Sequence, residues 1–277
     1  MNVALILAPY DSGHHRAGMG LGPEALLAGG LRGRLEAVGH HVELVDIGRA
    51  GDDQGREIAT GFAVCSAVAE AASAARAGSR FPVVLAGNCL TAAGAVAGEG
   101  AEAICWFDQH GDLNTPETSG YGFLDGMALA TVLGLCWRPM AATIPGFRPI
   151  DPAHCLLVDA RDLDPDEVEL LEEIPVSRVE TGAVADSLAS AGAGLATHIH
   201  VDLDIHDPRA LRVNRYGTAG GPGPAELRAA VSAIARARPV CGITLSAYDP
   251  AYDLQARVPA AVADLLADFL SAMETAL

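Results

Sequence analysis

Short apolar runs recur along the whole chain, at 3–8, 41–45, 82–86, 103–107, 155–158, 198–201 and 241–245. Several are solidly apolar rather than alternating, the pattern of strands buried on both faces of a parallel sheet. Stretches of helical character separate them, at 22–37, 55–77, 90–97, 126–135, 165–173, 224–237 and 258–275. The rhythm runs from end to end, and no linker, charge block or clear internal repeat divides it. It predicts one three-layer α/β domain over 1–277. Half of the 277 residues are hydrophobic, enough for a core of that size. In such sheets ligands sit beyond the carboxyl ends of the strands, so chemistry is sought where strands pass into loops.

Two of those junctions carry charge where a core strand ends. The run "ICWF" passes into "DQHGD", placing Asp108, His110 and Asp112 at every second position. In extended chain such residues share a face and converge on one point. The run "HIHV" passes into "DLDIHDP", with Asp202 and Asp204 again two apart. A lone D-x-H-x-D is explained well by helix capping. Two such strand ends are not, because neighbouring carboxylates repel and lose hydration unless a cation or shared proton compensates. A pair of hard divalent cations bridged by carboxylates accounts for all five groups.

Other features read more simply. Cys89, in "LAGNCL", is by itself a packed thiol. His198 and His200 share the face of Asp202, which would let them line the site, but a satisfied structural role is the first expectation for them. "GMGLGP" lacks the strand that a dinucleotide fingerprint needs directly before it, and reads as a loop entering a helix with proline in its first turn. No G-x-S-x-G elbow occurs.

Composition narrows the function classes. The net charge is -17, from 35 acids against 18 bases, so phosphate backbones and anionic lipid surfaces are disfavoured partners. Every base is arginine, which removes Schiff-base and P-loop lysine chemistry. The 6 cysteines form no C-x-x-C pair and sit mostly in apolar runs, as in a reducing cytosol. The N-terminal apolar run is too short for a signal peptide or membrane helix. A soluble cytoplasmic protein is expected.

Together, "APYDSGHHRAGMGLGPEAL", "WFDQHGDLNTPETSGYGFLDGM", "ARDLDP" and "VDLDIHDP" resemble the ureohydrolase family, the arginases, agmatinases and their relatives. The resemblance runs from about residue 3 to the last helix. It implies a three-layer α/β/α sandwich with a mostly parallel eight-stranded sheet and a binuclear manganese centre at the strand ends. By position, Asp108 and Asp202 would bridge the metals, Asp112 would ligate one, and His110 and Asp204 the other. The family's remaining ligand, a histidine, is replaced here by Cys89, so the resemblance turns that thiol into an expected ligand. Thiolate favours Zn or Fe(II), whereas the oxygen-rich remainder suits Mn, and two Mn ions are expected.

The resemblance also assigns substrate contacts. Asn114, Ser119 and Tyr121 would hold an α-carboxylate and Asp164 an α-amino group, which implies an arginine-like amino acid. Two departures concern catalysis. The family's proton-shuttling histidine is replaced by Asp125, and the glutamate that grips the guanidinium by Ala247. With Cys89, this pattern is similar to that of the Nω-hydroxy-L-arginine amidinohydrolases of D-cycloserine biosynthesis. The expected reaction is cleavage to hydroxyurea and L-ornithine by a hydroxide bridging two cations, with Asp112 taking its proton. Asp125 would receive the hydroxyl proton or pair with the hydroxyguanidinium. The alternatives are an arginase, guanidinobutyrase or formiminoglutamase, and a metal-free binding protein with the same fold. Many arginases hold a trimer through a C-terminal tail; the sequence stops at Leu277, just past the last expected helix, and a monomer is expected.

Overall fold

The computed structural model describes residues 1–51, 56–188 and 192–276. Its main sheet is built from β1 (Asn2–Ala8), β2 (His41–Asp46), β3 (Phe81–Ala86), β4 (Ala103–Phe107), β5 (Cys155–Val158), β6 (Ser177–Val179), β7 (Thr197–Asp202) and β8 (Val240–Ser246). They form one 8-stranded sheet in the order β2-β1-β3-β8-β7-β4-β5-β6, and every pairing is parallel. Every strand foreseen from the apolar runs is present. The unforeseen β6 is a half-exposed edge strand, Ser177–Val179, too short and too polar for an apolar-run signal.

The helices α1 (Gly22–Ala28), α2 (Leu31–Ala37), α3 (Glu57–Ala77), α4 (Thr91–Glu99), α5 (Ala128–Val132), α6 (Arg138–Ala141), α7 (Pro165–Glu173), α8 (Val184–Ser187), α9 (Pro224–Ala237) and α10 (Val258–Ala276) cover the sheet. Alternation along β1 sorts the two interfaces. Val3, Leu5 and Leu7 pack with α1, α2, α9 and α10, whereas Ala4, Ile6 and Ala8 meet Val64, Val68 and Ala72 of α3. Strand β4 divides likewise, with Ile104 and Trp106 on the α4 and α5 side and Cys105 and Phe107 opposite. This double burial is why the strands read as solid apolar runs.

Two helix expectations need correction. The stretch 22–37 is broken into α1 and α2 by Gly29 and by Gly30, whose φ is 91°. The stretch 126–135 is a 3-10 turn, Asp125–Met127, followed by the short α5. Gly55, the expected start of α3, lies outside the described residues. Helix α3 is long and apolar enough to cross a membrane by length and composition. Here its small residues lie against α4, and a Cβ on Gly94 or Gly98 would collide with the Cys65 or Ala69 carbonyl.

Candidate metal centre and active-site cavity

The central strands β3, β8, β7 and β4 deliver their carboxyl ends to one place. Asp108 follows β4 and is 0% exposed. Its Oδ1 accepts the His110 backbone N–H at 2.8 Å, and its Oδ2 accepts Trp106 Nε1 at 3.2 Å. The first of these folds the chain into an Asx turn. His110 Nδ1 then lies 3.2 Å from Asp108 Oδ1 and 3.7 Å from Asp204 Oδ1. Asp112 has φ 51°, in the left-handed region. The three side chains therefore converge through a turn, not through the alternation of extended chain. At the end of β7, Asp202 Oδ1 accepts Asp204 N at 2.7 Å and opens the 3-10 turn Leu203–Ile205.

Cys89 arrives from β3 through Gly87 and Asn88. A Cβ on Gly87 would collide with the Tyr10 carbonyl, so this tight passage needs glycine. The Cys89 thiol donates to Asp202 Oδ2 at 3.0 Å and lies 3.2 Å from Ser246 Oγ. Ligand atoms of Asp108, His110 and Asp112 fall within 4.8 Å of one another, as do those of Asp108, Asp202 and Asp204, and those of Cys89, Asp108 and His200. Asp108 belongs to all three groups, the position that a carboxylate shared by two ions requires.

The electrostatics are those of an anion cluster awaiting cations. Burial, then the charges of Asp108 and Asp125, push the Asp112 carboxyl well above its usual range. Burial, then Asp204 and Asp108, do the same to Asp202. Asp204 is raised by burial against the opposing pull of His110. Burial and then Asp202 push the Cys89 thiol up. Burial alone would lower His110, but the hydrogen bond to Asp108 and the Asp204 charge outweigh it and hold the imidazole at about 9. Asp112 Oδ2 and Asp204 Oδ1 are buried without a hydrogen-bond partner. Such a donor set fits hard divalent cations, which neutralise the repulsion and fill the orphaned valences.

A cavity of about 320 Å³ opens over the cluster and is walled by Asn114, Ser119, Tyr121, Asp125 and Asp164, among others. Asn114 Nδ2 donates to Asp164 Oδ2 at 2.9 Å, which joins two of the expected substrate contacts. Ser119 Oγ accepts Gly122 N at 3.0 Å and keeps its own proton free to donate. Tyr121 is 97% exposed at the mouth. Asp125 Oδ1 accepts Leu90 N at 3.1 Å and its Oδ2 accepts Asn88 Nδ2, so its carboxylate also holds the turn that carries Cys89. Burial raises the Asp125 carboxyl to about 7 against those hydrogen bonds. Ala247 lines the same cavity and presents no acid there.

The sequence matches the arginase family over residues 1–271. The chain belongs to the arginase family. Arginase from Bacillus caldovelox is 31% identical over 231 residues, 74% of this chain and 77% of that protein. The N(omega)-hydroxy-L-arginine amidinohydrolase of Streptomyces lavendulae is 33% identical over 205 residues, 72% of each chain. A solved structure of the Bacillus caldovelox arginase aligns with a TM-score of 0.87 at 27% identity, covering 97% of both chains. Arginase-family enzymes are hydrolases of amidino C–N bonds that depend on two metal ions and bind small guanidino substrates.

Within this arginase-family site, several residues escaped sequence reasoning. Asn214 Nδ2 donates to Asp204 Oδ2 at 3.1 Å and to the Ala247 carbonyl at 3.0 Å. Gln109, fully buried between Asp108 and His110, accepts Thr218 N at 2.7 Å and donates to the Tyr216 carbonyl at 3.1 Å, pinning the loop that brings Asn214. Glu167 accepts Leu113 N at 2.8 Å and Asp164 N at 2.9 Å. Its signal was present, because D-x-x-E before an apolar run is a capping box. His198 Nδ1 lies 2.7 Å from Glu99 Oε2, while its Nε2 has no hydrogen-bond partner. His200 borders the cluster, its ligand atom within 4.8 Å of those of Cys89 and Asp108.

Proposed function

We propose that this protein cleaves Nω-hydroxy-L-arginine to hydroxyurea and L-ornithine. Cys89, Asp108, His110, Asp112, Asp202 and Asp204 would hold two Mn ions, with Asp108 and Asp202 serving both. Bound there, the ions supply a water that is nucleophilic at neutral pH and positive charge beside the guanidino carbon. Asp112, held beside that water, would take its proton. Asn114, Ser119 and Tyr121 take the α-carboxylate and Asp164 the α-amino group. The Asn114–Asp164 hydrogen bond sets these contacts side by side, as two groups on one carbon require. Asp125 faces the hydroxyguanidine end, where it accepts the N-hydroxyl proton. We take the protein to be cytoplasmic and to act as a single-domain monomer.

The observation that carries this reading is the Cys89 thiol seated among the carboxylates, 3.0 Å from Asp202. Beside it, the Ala247 wall offers no charge to a guanidinium, which favours a less basic, N-hydroxylated group. The test is side-by-side turnover of Nω-hydroxy-L-arginine, L-arginine and agmatine, reading hydroxyurea and urea. Hydroxyarginine should be the fastest by at least tenfold in kcat/KM; arginine as the best substrate ends the proposal. Metal analysis accompanies it: Cys89→His should keep two ions and Cys89→Ala should lose one.

A further inference from the structure

Beneath the ligand cluster lies a buried polar arrangement that the reaction above does not use. His200 and Trp106 are register partners on β7 and β4, and their rings stack at 3.7 Å with 20° between planes. Trp106 donates its indole N–H to Asp108. His200 Nε2 lies 3.4 Å from Ser246 Oγ, and Ser246 Oγ lies 3.2 Å from Cys89 Sγ. Ser246 is the register partner of Asp202 on β8. Four adjacent strands thus contribute to one buried chain, His200 to Ser246 to Cys89, beside the stacked indole.

We infer that His200 is a positioning residue for the Cys89 sulfur, acting through the Ser246 hydroxyl. The inference rests on the ligand role given to Cys89 above. A sulfur bound to a cation is a thiolate and only accepts, so the Ser246 O–H points to Sγ. The Ser246 oxygen is then the acceptor for His200 Nε2–H, which fixes the tautomer. Hydrogen bonds from outside the ligand set orient a metal ligand and tune its electron donation. The arrangement is costly: His200 Nδ1 is buried without a partner, a loss of about 1–3 kcal/mol. Phenylalanine would stack on Trp106 without that loss. What the imidazole adds is the donor aimed at Ser246.

The test uses the full chain loaded with Co(II), whose thiolate ligands give a charge-transfer absorption band. Wild type should show the band, and Cys89→His should lack it while keeping two ions. Ser246→Ala and His200→Gln should keep two ions and move the band to longer wavelength, because the sulfur loses a hydrogen bond. In the Cys89→His background, Ser246→Ala should leave the Co(II) spectrum unchanged. If His200→Gln does not fold, His200→Phe, which keeps the stack on Trp106 and removes the donor, takes its place; a band unmoved by a folded His200 variant overturns the inference. A band unmoved by Ser246→Ala overturns the inference while Cys89 remains a ligand. Loss of one ion in His200→Gln, with Ser246→Ala silent, makes His200 a direct ligand and also overturns it. A wild type without the band removes Cys89 from the ligand set and the inference with it. Substrate preference for arginine would sink the proposed reaction and leave the band where it is.

Discussion

Strand β7 carries a buried ionisable cluster at each end, and the two are built on opposite principles. At the N-terminal end, His198 Nδ1 meets Glu99 Oε2 at 2.7 Å with both side chains 0% exposed, and the Cys241 thiol lies 3.6 Å from the same oxygen. An imidazole and a carboxylate pair there, although His198 Nε2 and Glu99 Oε1 are left without a hydrogen-bond partner. At the C-terminal end, Asp202 and Asp204 crowd Asp108 and Asp112, with the His110 imidazole beside Asp204 and the His200 ring within 4.8 Å of Asp108. The first cluster is a single buried pair, and removing one partner of such a pair is costly. The second destabilises the fold until cations arrive, which is the mark of a site kept for chemistry.

The sharpest way to break this comparison is to neutralise one residue at the C-terminal end. Asp202→Asn should lose at least one ion and several kcal/mol of transition-state stabilisation, roughly a 1,000-fold fall in kcat. Stripped of metal, the same variant should melt no lower than stripped wild type, because it removes a repelling charge. Metal analysis, kinetics and thermal melts read all three quantities. A stripped variant that melts well below stripped wild type would mean that the acids support the fold by themselves.

The matching change at the other end is Glu99→Gln. It leaves the bulk and breaks the buried pair, for a loss of about 3 kcal/mol in denaturant unfolding. Metal content and turnover per folded molecule should stay at wild-type values. A drop in bound metal would show that the two ends of β7 are coupled and that the division between them is wrong.

A smaller effect tests how far the metal cluster extends. Asn214→Ala removes the donor to Asp204 and to the Ala247 carbonyl. A residue that orients a metal ligand contributes about 10–100-fold in metal affinity or activity. Metal titration of the variant should fall in that range, with two ions still bound at saturation. An unchanged affinity would confine Asn214 to holding its loop.

The two clusters also differ in how visible they were in the sequence. The metal cluster was legible because acids at the ends of apolar strands break the expected pattern, so Asp108, Asp112, Asp202 and Asp204 announced themselves. The reason given for their convergence needed correction, since Asx and 3-10 turns gather the side chains, not extended alternation. Cys89 was silent on its own residue chemistry and was found only by its place in the family pattern. Glu99 gave no signal, because one acid at the end of an alanine-rich helix reads as solvated. Its partner is 99 residues away, a pairing that the packing of α4 on β7 creates and local sequence does not encode. The surroundings of His200 are equally non-local: its ring sits between β4 and β8, and only their register places it beside Trp106 and Ser246.

The last prediction concerns the pH dependence of the C-terminal end. In the metal-stripped protein, Asp112, Asp202 and Asp204 have folded pKa values raised above the ordinary carboxylate value, first by burial. The folded state therefore binds more protons than the unfolded state above about pH 4. Stability is fully present below that pH and is lost as pH rises through the folded values, by about 1.4 kcal/mol per pH unit for each proton of difference. His110, held at about 9, tilts the curve the same way at higher pH. Cations would keep the acids ionised in the folded state and remove most of this slope. The melting-temperature gap between loaded and stripped protein should therefore widen from pH 5 to pH 8. Glu99→Gln, at the far end of β7, should leave that widening unchanged, whereas Asp202→Asn should reduce it. A gap that stays constant with pH would mean that the acids are not strained by one another, and the contrast between the two ends of β7 would lose its physical basis.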